Sequence, residues 1–214
     1  MNLITPLTKG ERTRAHIVAT AASLFWRYNF HGVSVDRIAD VAGVNKATVY
    51  RYFADKNDIA LAAVRYHGEL TLRDVFEANF KRFARPEERL AGIYSDIHCA
   101  HQALKDEDGD LYGCPVVGLA LELGQEMPAL RAEARAIFDR VEGFLHEIAK
   151  GALAASGKSG SAEGLARTLV QLLHGAFASA RLSAEPDRII DAGNASLELI
   201  GYPNTPILLA QQAA

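Results

Sequence analysis

Apolar residues recur at helical spacing almost from end to end of this chain, and strand-like alternation with clustered β-branched residues is nearly absent. The pattern predicts an all-α fold. Between about Arg12 and Tyr28 the residues Ile17, Ala21, Leu24, Phe25 and Tyr28 share one face, and Asn29 and Gly32 mark the end of that helix. Ser34 is a natural N-cap for a short helix, Val35 to Val41, with Asp36 favourably placed in its first turn. Ala42, Gly43 and Val44 read as a tight turn in which Gly43 can take a positive φ. Asn45 caps a third short helix that ends near Phe53. Asp55, with Asp58 three residues on, starts a fourth that runs towards Phe83, although Gly68 and Thr71 leave its continuity open.

Farther along, Pro86 at a first helical position opens a helix to about Leu104, and Lys105 to Asp110 reads as a polar loop. Pro115 to Gly124 is short and nearly uncharged, which predicts burial on several sides. Pro128 opens a long helix, about Ala129 to Ala155, whose positions Leu130, Ala134, Ile137, Phe138, Val141, Phe144, Leu145, Ile148 and Ala152 keep the helical period. A Ser/Gly linker separates it from a helix over Ala162 to Ser183, and a last helix lies near Pro186 to Ile200. Residues 204–214 are expected to form a loose tail.

Composition narrows the class. With 214 residues, 49 % of them hydrophobic and 23 % charged, the chain has the make-up of a globular protein with a real core. No apolar run approaches the ~18 residues of a membrane span, and the first residues lack the order of a secretory signal. The expectation is a soluble, cytoplasmic protein with no membrane partner. Cys99 and Cys114 are too few for a disulfide scaffold. The net charge of −3 hides an asymmetry: residues 1–65 hold nine Lys/Arg against five Asp/Glu, the remainder fourteen against twenty-one. A basic head on an acidic body suggests that the head is what meets a polyanion.

Residues 34–53 carry the sharper signal, two short helices joined by a glycine-containing turn. In this helix-turn-helix pattern the second helix enters the DNA major groove. Ile38 and Ala39 face the core, small Ala39 allows close approach of the helices, and Val44 and Val49 plug the hinge. The outward face is then Lys46, Ala47, Thr48, Tyr50 and Arg51. It mixes short side chains with donors able to reach base edges or phosphates. Tyr50, Tyr52 and Lys56 stand where they can bind phosphate oxygens, and the start of the fourth helix adds free amides. Each has a plainer alternative: Tyr52 can pack on the first helix, Arg37 can pair with Asp36 or Asp40, and Lys46 and Thr48 can simply be solvated.

The stretch from Ile17 to Lys56, I-x3-A-x2-L-F-x6-G-x5-IA-x2-AGV-x3-TVYRYF-x2-K, resembles the N-terminal DNA-binding domain of the TetR family of transcriptional regulators. The segment GCPVVGLALEL from Gly113 resembles a subgroup's GC-x-x-GNLALEL, though its Asn is absent here. The resemblance implies a DNA-binding domain over residues 1–56 and a helical effector-binding and dimerisation domain over 57–203. It implies base or phosphate contacts by Lys46, Ala47, Thr48 and Arg51, backbone clamping by Tyr50, Tyr52 and Lys56, and approach to phosphate by Ser34 and Arg37. The implied partners are double-stranded operator DNA, a small-molecule effector, and a second copy joined through the helices near 129–155 and 162–183. The alternative is that those two helices pack only within one subunit. The implied action is that of a repressor released by its effector.

Candidates for the effector pocket are Tyr94, His98, His101, Val117, Leu121, Phe138 and Phe177, although plain core is the readier reading of each. A second reading makes Cys99 and Cys114 a redox or electrophile-sensing switch, since Cys114 precedes a helix start that favours thiolate. His98 and His101 with a cysteine lack the paired spacing of a metal site. Asp106, Asp108 and Asp110 open like a calcium loop, but Leu111 and Val117 stand where Gly and Glu are required. No catalytic signature or cofactor motif is present, so neither an enzyme nor a cofactor is expected.

Overall fold

The computed structural model describes residues 8–157 and 159–207. Within them the chain forms α1 (Lys9–Tyr28), α2 (Val35–Val41), α3 (Lys46–Tyr52), α4 (Lys56–Thr71), α5 (Ala78–Arg82), α6 (Pro86–Asp108), α7 (Pro115–Leu123), α8 (Pro128–Ser156), α9 (Ala162–Ser183) and α10 (Arg188–Leu199). The described residues contain no strand, so the fold is all-α.

Local chemistry sets the helix starts. Thr8 and Glu11 form a reciprocal capping box that begins α1 three residues earlier than the apolar pattern places it. Ser34 Oγ accepts the Arg37 N–H, and Asn45 Oδ1 accepts the Thr48 N–H at 2.7 Å. Between α2 and α3, Gly43 takes φ +64°, and the Val44 N–H returns to the Ala39 carbonyl at 3.0 Å. The open question at Gly68 and Thr71 resolves as continuity: α4 passes through a π-helical stretch, Leu72–Glu77, into α5. Leu72 and Phe76, one turn apart on that stretch, are both buried.

Three expectations need correction. Lys105 to Asp108 are helical rather than loop, and α6 stops at Gly109, whose left-handed φ of +76° closes it. Lys105 also donates to the Ala184 carbonyl, which holds that last turn in place. The burial expected for α7 holds at Val116, Leu119 and Leu123 but stops short of Leu121, which stands 82 % exposed. Of the tail expected to be loose from Asn204, Asn204 and Pro206 are exposed but Ile207 is buried against α10 at Gly193; residues 208–214 lie outside the described range.

The helices gather into two compact units that do not follow chain order. Among the described residues the first holds 8–69 together with 115–135, so α7 and the start of α8 pack with the N-terminal helices. Its core is built on Ile17, Ala21, Phe25, Ile38, Val49, Phe53 and Ile59. Arg65 Nε donates to Glu133 Oε2 at 2.7 Å and ties α4 to α8 there. The linear division at residue 56 is drawn from the motif alone and does not anticipate this return of the chain. The second unit holds the described residues of 70–114 and 136–207, with Leu90, Ile93, Tyr94, Leu145, Leu169, Leu173, Ile189 and Leu197 inside. There α10 lies close on α6 because Gly193 has no side chain: a Cβ at that position would stand 2.8 Å from Tyr94 Cγ.

Candidate nucleic-acid interface

The first unit presents α3 as an exposed ridge. Lys46, Ala47, Tyr50 and Arg51 are exposed and Thr48 is half-buried, while Val49 is fully buried on the opposite face. A seven-residue helix therefore fixes itself to the core by Val49 and turns the rest outward. Ala39 and Ile38 lie buried behind it on α2, as their types and spacing predict.

The polar groups on this face lean on one another. Lys46 Nζ is 2.9 Å from Asp36 Oδ2, a hydrogen bond and ion pair that raises the lysine's pKa. Asp36 is thus taken by Lys46 and not by Arg37. The Arg37 guanidinium lies 4.0 Å from the centroid of the half-exposed Tyr28 ring. Thr48 Oγ1 donates to Asn45 Oδ1 at 2.8 Å, so its hydroxyl already belongs to the cap of α3. Tyr52 is half-buried, and its hydroxyl lies 3.5 Å from where a Cβ on Gly10 of α1 would be. The geometry thus favours the plainer alternative for Tyr52, a ring packed on the first helix. Lys56 Nζ sits 3.9 Å above the Phe30 ring; burial there lowers its pKa, against the pull of the nearby Glu122 charge.

Glu122 escapes the sequence reading. Its carboxylate accepts the N–H of Phe30 at 2.9 Å and of His31 at 3.2 Å, and His31 Nε2 lies 3.9 Å away. The one signal available in the sequence is that it is the sole charge in an otherwise uncharged helix. Tyr28 and Phe30, the rings that seat Arg37 and Lys56, likewise read in the sequence only as helix face and connection.

The expected effector residues are divided between the two units. Val117 and Leu121 belong to the first unit, the others to the second. Tyr94 Oη and Ser196 Oγ are hydrogen-bonded at 2.8 Å, and burial pushes the phenol pKa up to about 12. His98 Nε2 meets Asp187 Oδ1 at 2.9 Å. The ring of His101 lies 5.2 Å from Phe177, and its Nδ1 bonds the Ile97 carbonyl; burial lowers its pKa. Phe138 meets His174 edge-on at 4.9 Å. A cavity of about 230 Å³ opens elsewhere in this unit, among Arg82, Phe83, Gly92, Asp96 and Pro206, and none of the expected residues borders it. Cys99 and Cys114 are half-exposed thiols. No group of three or more potential metal ligands gathers among the described residues, and no described helix is long and apolar enough to cross a membrane.

Comparison with known proteins covers both parts of the chain. Residues 17–63 match the family described as bacterial regulatory proteins, tetR family. Residues 91–195 match the C-terminal domain of LmrA/YxaF-like transcriptional regulators. The HTH-type transcriptional regulator RutR of Escherichia coli K12 is 30 % identical over 105 residues, covering 46 % of this chain and 47 % of that protein. The HTH-type transcriptional activator FasR of Mycolicibacterium smegmatis is 32 % identical over 72 residues, 34 % of this chain and 32 % of its own. The chain thus spans about half the length, or less, of these curated relatives. Among solved structures, a TetR transcriptional regulator from Chloroflexus aurantiacus superposes with a TM-score of 0.74 at 25 % identity, over 95 % of this chain and 100 % of that one. Reduced NemR of E. coli gives a TM-score of 0.74 at 20 % identity over 90 % and 100 %, which speaks to the fold alone.

Proposed function

This chain belongs to the TetR family of transcriptional regulators, and from that premise we propose that it binds operator DNA as a homodimer and represses transcription until a small molecule releases it. The observation that carries the DNA reading is the α3 ridge. Lys46, Ala47, Tyr50 and Arg51 face solvent on a helix locked from behind by Val49. Ser34 at the start of α2, Arg37 on α2 and Lys56 on α4 flank that ridge in sequence and supply donors for phosphate and base edges.

A single short helix covers few base pairs. Two copies present two such helices to successive major grooves, ~34–36 Å apart. The second unit offers faces for that pairing. On α9 Leu182 is 89 % exposed, and a Cβ at Gly175 would meet nothing, as would one at Gly143 on α8. A second copy's helices can therefore approach both closely and form a four-helix interface. Release works as a population shift: an effector that prefers a spacing unfit for DNA lowers affinity by its differential binding energy, ~1–3 kcal/mol. Tyr94, His98, His101, Phe138 and Phe177 of the second unit remain the proposed contacts, and exposed Leu121 leaves the set.

Gel-shift titration against the DNA upstream of neighbouring genes tests the reading. A specific, salt-sensitive shift is expected. Tyr50→Ala with Lys56→Ala should weaken binding across sequences and reduce the salt slope by about one for each phosphate no longer bound. No shift at low salt refutes the proposal.

A further inference from the structure

Glu122 stands far from the α3 ridge in sequence, yet it fastens the segment that feeds into α2. Its Oε2 accepts the Phe30 N–H at 2.9 Å and its Oε1 the His31 N–H at 3.2 Å. Bonds to a charged acceptor are stronger than neutral ones, and two on adjacent amides fix an orientation as well as a distance. Phe30 is itself buried, packs on Phe25 with ring centroids 5.6 Å apart, and carries the Lys56 ammonium on its face at 3.9 Å. Three residues past His31 comes Ser34, the cap of α2, whose Oγ holds the Arg37 amide. One carboxylate therefore lies under the seat of Lys56 and ahead of the helix that carries Arg37.

We propose that Glu122 is a positioning residue for DNA binding: from α7 it fixes the entry to α2 and the seat of Lys56, so that both cations meet the duplex from set places. This rests on the DNA-binding reading above and names a residue that governs its geometry. The sign of the effect separates positioning from plain electrostatics. Glu122 is a negative charge near Lys56, so its neutralisation alone should tighten binding to any polyanion. Positioning predicts the reverse for a chosen sequence, because Gln keeps one acceptor oxygen while its NH2, itself a donor, faces the other backbone N–H and loosens the segment.

The experiment compares the wild-type protein with E122Q on two probes: a duplex selected by the wild type from a random library, and an unselected duplex of equal length. E122Q should bind the selected duplex about tenfold more weakly and the unselected duplex at least as well as the wild type. Equal or tighter binding of the selected duplex overturns the proposal. Emission from the single tryptophan, Trp26, reports whether the variant is folded at the assay temperature. Amide exchange in the wild type gives a readout independent of any variant. The Phe30 and His31 amides should exchange slowly, and exchange at the rate of an open loop overturns the proposal even if E122Q fails to fold. A wild-type protein that selects no duplex refutes the DNA-binding reading itself, and the proposal with it.

Discussion

In the first unit the cations of the α3 face are at the surface and rest on the protein's own groups: Lys46 on Asp36, Arg37 on Tyr28, Lys56 on Phe30. In the second the polar rings are inside. Tyr94 is closed onto Ser196, His98 onto Asp187, and His101 onto the Ile97 carbonyl. At Lys46 the first arrangement suits exchange, since an exposed ion pair is worth little and a phosphate can replace it. The second suits persistence, because a buried polar group that loses its partner is costly. On that contrast, DNA binding needs only side-chain movement, whereas a molecule entering among those rings must repack a filled core.

Phe76→Ala puts the largest load on this contrast. The ring is 1 % exposed and stacks on Phe144 with centroids 5.6 Å apart. Truncating such a ring in a rigid core costs about 3–5 kcal/mol. Chemical denaturation measures it. A loss below about 1 kcal/mol would mean that the second unit collapses readily around missing volume, and then it would be yielding rather than filled.

An acid titration of stability is the next test, and it reaches both units. Burial lowers the pKa of His67 in the first unit and of His101 and His174 in the second. The unfolded chain then takes up protons near the ordinary histidine pKa, about 6.5, while the folded chain does not. Stability should therefore be full above that pH and fall as pH drops through it towards the lowered native values. Melting temperature followed from pH 7.5 down to 5 checks this (about the range in which histidine titrates), and His174→Leu should blunt the fall. A flat profile would mean that these rings are not held neutral by the core.

The two regions also differ in how much of them could be read from residue order. Val35–Val41 and Ala162–Ser183 are observed as expected, because cap and stop lie within a few residues of the helices they end. Ile38, Ala39, Val49 and Gly43 declare their roles by type and spacing. Lys105 to Asp108 mislead because a polar run is compatible with helix, and the stop belongs to Gly109 instead. Leu121 misleads because an apolar side chain does not say whether anything covers it. Glu122 is illegible for another reason: its partner Phe30 lies 92 residues away, and no local period reports an interaction of that span. The return of α7 to the N-terminal helices is hidden in the same way.

The smallest expected effect tests the exchange idea at a single pair. Lys46 and Asp36 are both well exposed, so Asp36→Asn should leave the melting temperature essentially unchanged. In the free protein the Asp36 hydrogen bond turns the Lys46 ammonium towards α2. On DNA a phosphate must compete with that carboxylate, and the carboxylate also repels the duplex. Removing its charge should raise affinity about two- to fivefold at low salt for any sequence, with the gain fading as salt rises. If binding instead weakens, Asp36 is aiming Lys46 rather than merely occupying it, and the first unit is then built for fixed geometry in the way the second is.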